Sequence, residues 1–145
     1  MDPNKLTLRS REALTRAQQA AAEQHHQVVE PEHLLHALLS DPEGVIYPLL
    51  HALGTSPRSV RDRLTDRLAS FPKAFGGQPE PELSPATRHV LERAFTEATS
   101  LTDEYVSTEH LLLALLEGAT PVARLLADAG VSRDNLLAAL AQVRG

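Results

Sequence analysis

A shift of 77 positions lays Leu34-Leu35-His36-Ala37-Leu38-Leu39 on Leu111-Leu112-Leu113-Ala114-Leu115-Leu116 without a gap, and the preceding Glu32-His33 on Glu109-His110. The same shift pairs Leu6 with Leu83, Arg11 with Arg88, Leu14 with Leu91, Arg16-Ala17 with Arg93-Ala94, Ala21 with Ala98 and Val29 with Val106. After a one-residue deletion the match resumes at a shift of 76, with Leu49-Leu50 on Leu125-Leu126, Gly54 on Gly130 and Ser56 on Ser132. Agreement this dense marks a tandem duplication. A period of 77 is longer than the usual solenoid unit, and two copies cannot build an array, so a closed pseudo-twofold pair around one core is expected. The 145 residues are enough to bury such a core. They divide into repeat one (about 6–69), a crossover (70–82) and repeat two (about 83–144), forming one domain over 1–145.

Each copy carries helix punctuation. Ser84-Pro85 reads as an N-cap followed by proline at the first helical position, and Thr7 holds the equivalent place in copy one. Apolar residues then recur at Leu14, Ala17 and Ala21, and at Leu91, Ala94 and Ala98, spacings of three and four that give one buried stripe. A second helix starts at Pro31 or Thr108 and, with its leucine run, should be the most buried element. The third passes through Ile46, Leu49, Leu50 and Leu53 and closes on Gly54 or Gly130, residues suited to a left-handed C-terminal cap. The fourth follows Ser56-Pro57 or Ser132, and strand signals are essentially absent. Between the copies, Pro72, Gly76, Gly77, Pro79 and Pro81 break any helix, while Phe71 and Phe75 should pin the segment across the domain. The expected architecture is all-α, two four-helix repeats totalling eight helices.

Composition narrows the chemistry. The net charge of −5 and the lack of a long basic run argue against nucleic acid, and 3% aromatics without tryptophan leave no stacking platform for bases. No apolar run approaches the roughly 18 residues of a membrane span, and the amino terminus has no signal-peptide pattern, so the expected location is cytoplasmic. Without cysteine there is no disulfide, thiolate nucleophile or cysteine metal site. Neither lysine, Lys5 or Lys73, sits in a phosphate-binding glycine loop. His33-x-x-His36 could put two imidazoles on one helical face, but copy two has Leu113 at the second position and the His-Glu-x-x-His pattern is missing, so no metal is expected. His33 and His110 should instead satisfy local hydrogen bonds or sit at the surface, and His25-His26 should end the first helix. No Ser-His-Asp arrangement supports catalysis. Glu32 and Glu109 fall in equivalent first turns, where a carboxylate compensates the helix dipole or, as a pair, could receive a cationic ligand group.

With these features the chain resembles the N-terminal repeat domain of the Clp ATPases, in the paired Glu-His-Leu-Leu segments, the Gly54 and Gly130 turns and the 77-residue period. Within that family the opening Met1-Asp2-Pro3-Asn4-Lys5-Leu6-Thr7, the crossover Phe71-Pro72-Lys73 with Gly76-Gly77, Asp103-Glu104-Tyr105-Val106-Ser107 and the ending Gln142-Val143-Arg144-Gly145 look most like ClpB, the disaggregating branch. The resemblance implies a non-catalytic domain that engages unfolded or aggregated polypeptide in a shallow apolar groove and hands it to a hexameric ATPase ring. ATP, magnesium, hexamer formation and partnership with a DnaK-type chaperone system would belong to modules beyond residue 145, and the isolated domain would be a monomer. The family positions linked to client binding fall on Thr7, Leu91, Asp103 and Glu109, with His110 beside them. Phe95 joins as a candidate because its repeat partner is the polar Gln18. Arg93, Glu97 and His110 depart from the apolar residues that some members carry at these places. The resemblance leaves two other readings: a ClpC-like domain docking adaptors or phospho-arginine through Glu32 and Glu109, and a stand-alone Clp-repeat adaptor.

Overall fold

The computed structural model describes residues 2–76 and 80–145, so Met1 of the opening motif and Gly77 and Pro79 of the crossover lie outside the described residues. A 3-10 turn (Pro3–Lys5) leads into α1 (Leu8–Glu23), α2 (Pro31–Leu38), α3 (Ile46–Ala52) and α4 (Pro57–Ala69). The second copy supplies α5 (Pro85–Ser100), α6 (Thr108–Leu115), α7 (Pro121–Asp128) and α8 (Arg133–Arg144). The fold is all-α, and the described residues form the eight α-helices that the repeat predicts.

Their boundaries follow from the caps. The side-chain oxygens of Thr7, Ser56, Ser84 and Ser132 accept hydrogen bonds from the backbone N–H groups of Ser10 (3.2 Å), Ser59 (3.1 Å), Thr87 (3.1 Å) and Asn135 (3.1 Å). Each satisfies a donor that the first helical turn leaves without a partner. At the other ends, Gly54 and Gly130 take φ values of +73° and +92°. The left-handed residues closing α1 and α5 are not glycine: His25 sits at φ 61° and Thr102 at φ 56°, again 77 positions apart.

Two short parallel pairings, invisible to periodicity, join the copies. β1 (Val28–Val29) pairs with β2 (Glu82–Leu83), and Leu6 bridges Val106. Since Leu6 corresponds to Leu83 and Val29 to Val106, these are one contact made twice. The residues that lead into the first helix of each copy lie against the connection between the first two helices of the other. The polar bonds obey the same exchange. Thr7 N–H and Ser10 Oγ–H donate to the Val106 carbonyl at 3.0 and 2.9 Å, while Ser84 N–H and Thr87 Oγ1–H donate to the Val29 carbonyl at 3.1 and 2.7 Å.

The core lies between the copies. Leu34, Leu35, Leu38 and Leu39 from α2 and its C-cap meet Leu111, Leu112, Leu113 and Leu115 from α6, with Leu49, Leu50, Leu64, Leu126, Leu136 and Leu140 around them. Leu91 belongs to this core and is only 1% exposed, as its place on the buried stripe predicts, which corrects the client-facing role implied by the resemblance: its apolar area is already spent on packing. In the crossover, Ala74 N–H donates to the His25 carbonyl at 2.9 Å and Phe71 packs against the rings of His26 and His33. Phe75 instead stays 67% exposed, its ring 4.3 Å from that of His25. Among the described residues no helix is long and apolar enough to cross a membrane.

Candidate functional site

In copy two the α5–α6 connection assembles a polar cluster. The Ser107 N–H donates to His110 Nδ1 at 2.8 Å, which puts the imidazole proton on Nε2, and Nε2 donates it to Asp103 Oδ2 at 2.7 Å. Arg144, from the last turn of α8, donates through Nη2 to Asp103 Oδ2 at 2.8 Å and to Glu109 Oε2 at 3.2 Å. Burial pushes the Asp103 pKa up, but the bonds from Arg144 and His110 outweigh it and hold the carboxyl below its usual range. Thr7 reaches this connection through its backbone bond to Val106. His110 is 1% exposed, so it serves as an internal bridge and not as a contact surface, a second correction to the expected site.

Copy one builds the same frame with two substitutions, Glu30 for Ser107 and His26 for Asp103. Glu30 N–H donates to His33 Nδ1 at 2.9 Å, and Arg67, from the last turn of α4, donates through Nε to Glu32 at 2.6 Å. The place of Asp103 is taken by His26, whose Nδ1 lies 2.7 Å from His33 Nε2. Replacing a carboxylate by an imidazole removes the charge that would favour a protonated neighbour. Burial, then the nearby His26 and His36, push the His33 pKa down to about 4, and burial followed by Lys73 lowers that of His26. His36 turns to Thr65 (3.2 Å), and among the described residues no group of three or more potential metal ligands comes together. Both candidate carboxylates, Glu32 and Glu109, thus already hold a guanidinium of the chain itself. A ligand guanidinium would have to displace Arg67 or Arg144.

On α5, the departures from an apolar groove form an ion-pair network. Glu97 is 1% exposed and takes both terminal nitrogens of Arg133, Nη2 reaching Oε1 at 2.7 Å, with Arg93 Nε at 3.5 Å. Glu117 closes the ring at 3.4 Å from Arg133 and 3.6 Å from Arg93. The bond from Arg133 holds the Glu97 carboxyl below its ordinary pKa in spite of burial. Phe95, one turn beyond Leu91, is a partly exposed aromatic packed on the rim of the core.

The family model of the Clp repeat (R) N-terminal domain matches residues 5–129. The chain belongs to the Clp N-terminal domain family. Across its whole length it is 42% identical to the chaperone protein ClpB of Mycobacterium tuberculosis, of which it spans 17%. The chain therefore spans about one sixth of the length of such curated relatives. Among solved structures, the Hsp104 N-terminal domain from Candida albicans superposes with a TM-score of 0.84 at 23% identity, covering 97% of this chain and 92% of that one. A complex of the ClpV N-domain with a VipB peptide superposes with a TM-score of 0.71 at 24% identity, covering 92% of this chain and 82% of that one.

Of the residues expected to serve this Clp domain, Asp103, Glu109 and His110 are tied into one cluster that abuts Thr7. Leu91 lies beneath the surface, and Phe95 reaches it on α5. The residues that motif reasoning missed are Arg67, Arg144 and Arg133, the partners of these carboxylates, together with His26. The repeat contained a signal for the first pair: Glu32 and Arg67 are 35 residues apart, as are Glu109 and Arg144.

Proposed function

We propose that this Clp domain engages unfolded or aggregated polypeptide for delivery to the ATPase ring of a ClpB-type disaggregase and catalyses nothing itself. The ring, its nucleotide and magnesium, and partnership with a DnaK-type system belong to the rest of that protein, which works in the cytoplasm. The observation that carries the reading is the match to ClpB along the entire chain at 42% identity. The ClpV complex adds that a domain of this fold can seat a peptide. Phe95 supplies a partly exposed aromatic contact, while Thr7, Asp103 and Glu109 form a polar rim. Such a surface binds many sequences weakly, as delivery of diverse clients requires.

The test is an NMR titration of the isotope-labelled chain with an unfolded polypeptide, the same polypeptide folded serving as control. Shifts around Thr7, Phe95 and Asp103 with the unfolded form alone are expected, and their absence would refute the reading. Phe95→Ala should weaken that binding about tenfold, the loss of one partly buried aromatic contact of 1–2 kcal/mol, with helical content unchanged. Unaltered binding would remove Phe95 from the surface.

A further inference from the structure

A cavity of about 530 Å³ opens between the crossover and the amino-terminal ends of α2 and α7, a size suited to a small ligand or one or two residues of a peptide. Its walls divide by chemistry. Phe71, Pro31 and Pro121 contribute apolar surface, while His26, Arg67 and Lys73 contribute nitrogen. The acids along the same wall are engaged: Glu30 forms a capping box with His33, and Glu32 receives Arg67 Nε.

Donors remain unspent at this wall. Glu30 N–H occupies His33 Nδ1, so the His33 proton is on Nε2 and is donated to His26 Nδ1. The His26 proton is then on its own Nε2. That atom has no exposed surface and lies beside the Leu68 backbone carbonyl, at a geometry short of a full hydrogen bond. The two terminal nitrogens of Arg67, whose guanidinium lies over the Phe71 ring, and the Lys73 ammonium make no hydrogen bond to other described residues, and their charges balance those of Glu30 and Glu32 on the same wall. The pseudo-equivalent place in copy two shows what such a frame lacks: there a carboxylate, Asp103, accepts from both the histidine and the arginine.

We propose that this cavity binds the carboxyl-terminal residue of a polypeptide, its α-carboxylate against Arg67 and Lys73 and its apolar side chain against Phe71, Pro31 and Pro121. A chain end is the fitting source because it carries a carboxylate and an apolar side chain on one carbon atom. An internal Asp or Glu would satisfy the donors and leave the apolar wall to backbone. The inference rests on the polypeptide-binding reading above and assigns it a second, end-specific subsite.

The experiment titrates the labelled 145-residue chain with three peptides: acetyl-Ser-Gly-Ala-Leu as the free acid, the same peptide as its carboxamide, and acetyl-Ser-Gly-Asp-Ala carboxamide. The free acid should shift residues 26–32, 67 and 71–74, with the other two peptides at least about tenfold weaker, the worth of one charge-assisted pair. Lys73→Gln, at an exposed position, should weaken the free acid several-fold, and Arg67→Gln more. Equal binding of acid and amide, equal binding of the Asp peptide, indifference to Lys73→Gln, or no shift at these residues would each overturn the proposal. Binding of unfolded polypeptide near Phe95 without any free-acid effect would refute this subsite alone. A free-acid effect without binding of unfolded polypeptide would uphold the subsite and refute the broader reading.

Discussion

Thr102 closes α5 with φ 56°, a conformation that a β-branched side chain adopts at a cost. Relief of that strain outweighs the extra freedom glycine gives the unfolded chain, so Thr102→Gly should stabilise the domain by up to about 1 kcal/mol, read as a rise in thermal midpoint. His33 sets a pH dependence. The unfolded chain takes up a proton there as pH falls below 6.5, whereas the folded imidazole resists until about 4. The folded state therefore loses stability as pH drops through that window, by up to about 1.4 kcal/mol per pH unit, and the loss levels off below it. His26 and His36, whose pKa values are lowered too, add in the same direction. Denaturant titrations at pH 7, 6 and 5 check the slope. Imidazole nitrogen shifts should find His33 neutral with its proton on Nε2 at pH 6, and a ring that titrates near 6.5 would contradict the geometry.

Helix positions were legible because caps and apolar spacing are local signals: Thr7, Ser56, Ser84 and Ser132 announce their helices before any tertiary contact is known. What holds one helix to another was not, since partners such as Glu97 and Arg133 are 36 residues apart and share no motif. The candidate site was legible in part. Phe95 stood out because its repeat partner is polar, while the spacing that put Leu91 one turn earlier on the buried stripe already argued against its carrying a client contact. The α5–α8 tie is testable. Glu97→Gln keeps the shape and removes the charge, and it should cost about 1–3 kcal/mol at pH 7, the value of hydrogen bonds to a charged group. The carboxyl is held below its unfolded value of 4.5 by Arg133, with Arg93 assisting and Glu117 opposing as the other charges facing it. Its contribution is present above pH 4.5 and is lost as pH falls through the depressed value. The gap between wild type and Glu97→Gln should then close in acid. Glu97→Leu combined with Arg133→Leu should recover part of the loss, because an apolar pair leaves no charge to desolvate.

The reciprocal seating of each lead-in segment decides how the whole molecule folds. A lone first copy would keep Leu6 and the N-cap region of α1 without the Val106 carbonyl and would expose the face of α2 that meets α5 and α6. A lone second copy would lose the matching contact of Leu83 and Ser84 with Val29. Each half is also near 70 residues, a length at which a single core supplies only a few kcal/mol, and here half of that core belongs to the other copy. Peptides 1–79 and 80–145 should therefore show little helical circular dichroism apart, and regain it when mixed at equal concentration, with a signal saturating at one to one. The intact chain should melt in a single transition, its calorimetric and van't Hoff enthalpies agreeing. Stable helical folding of either half by itself would mean that the duplication produced two independent units that merely touch, and the exchange across Val29 and Val106 would then be a consequence of their docking instead of a condition for folding.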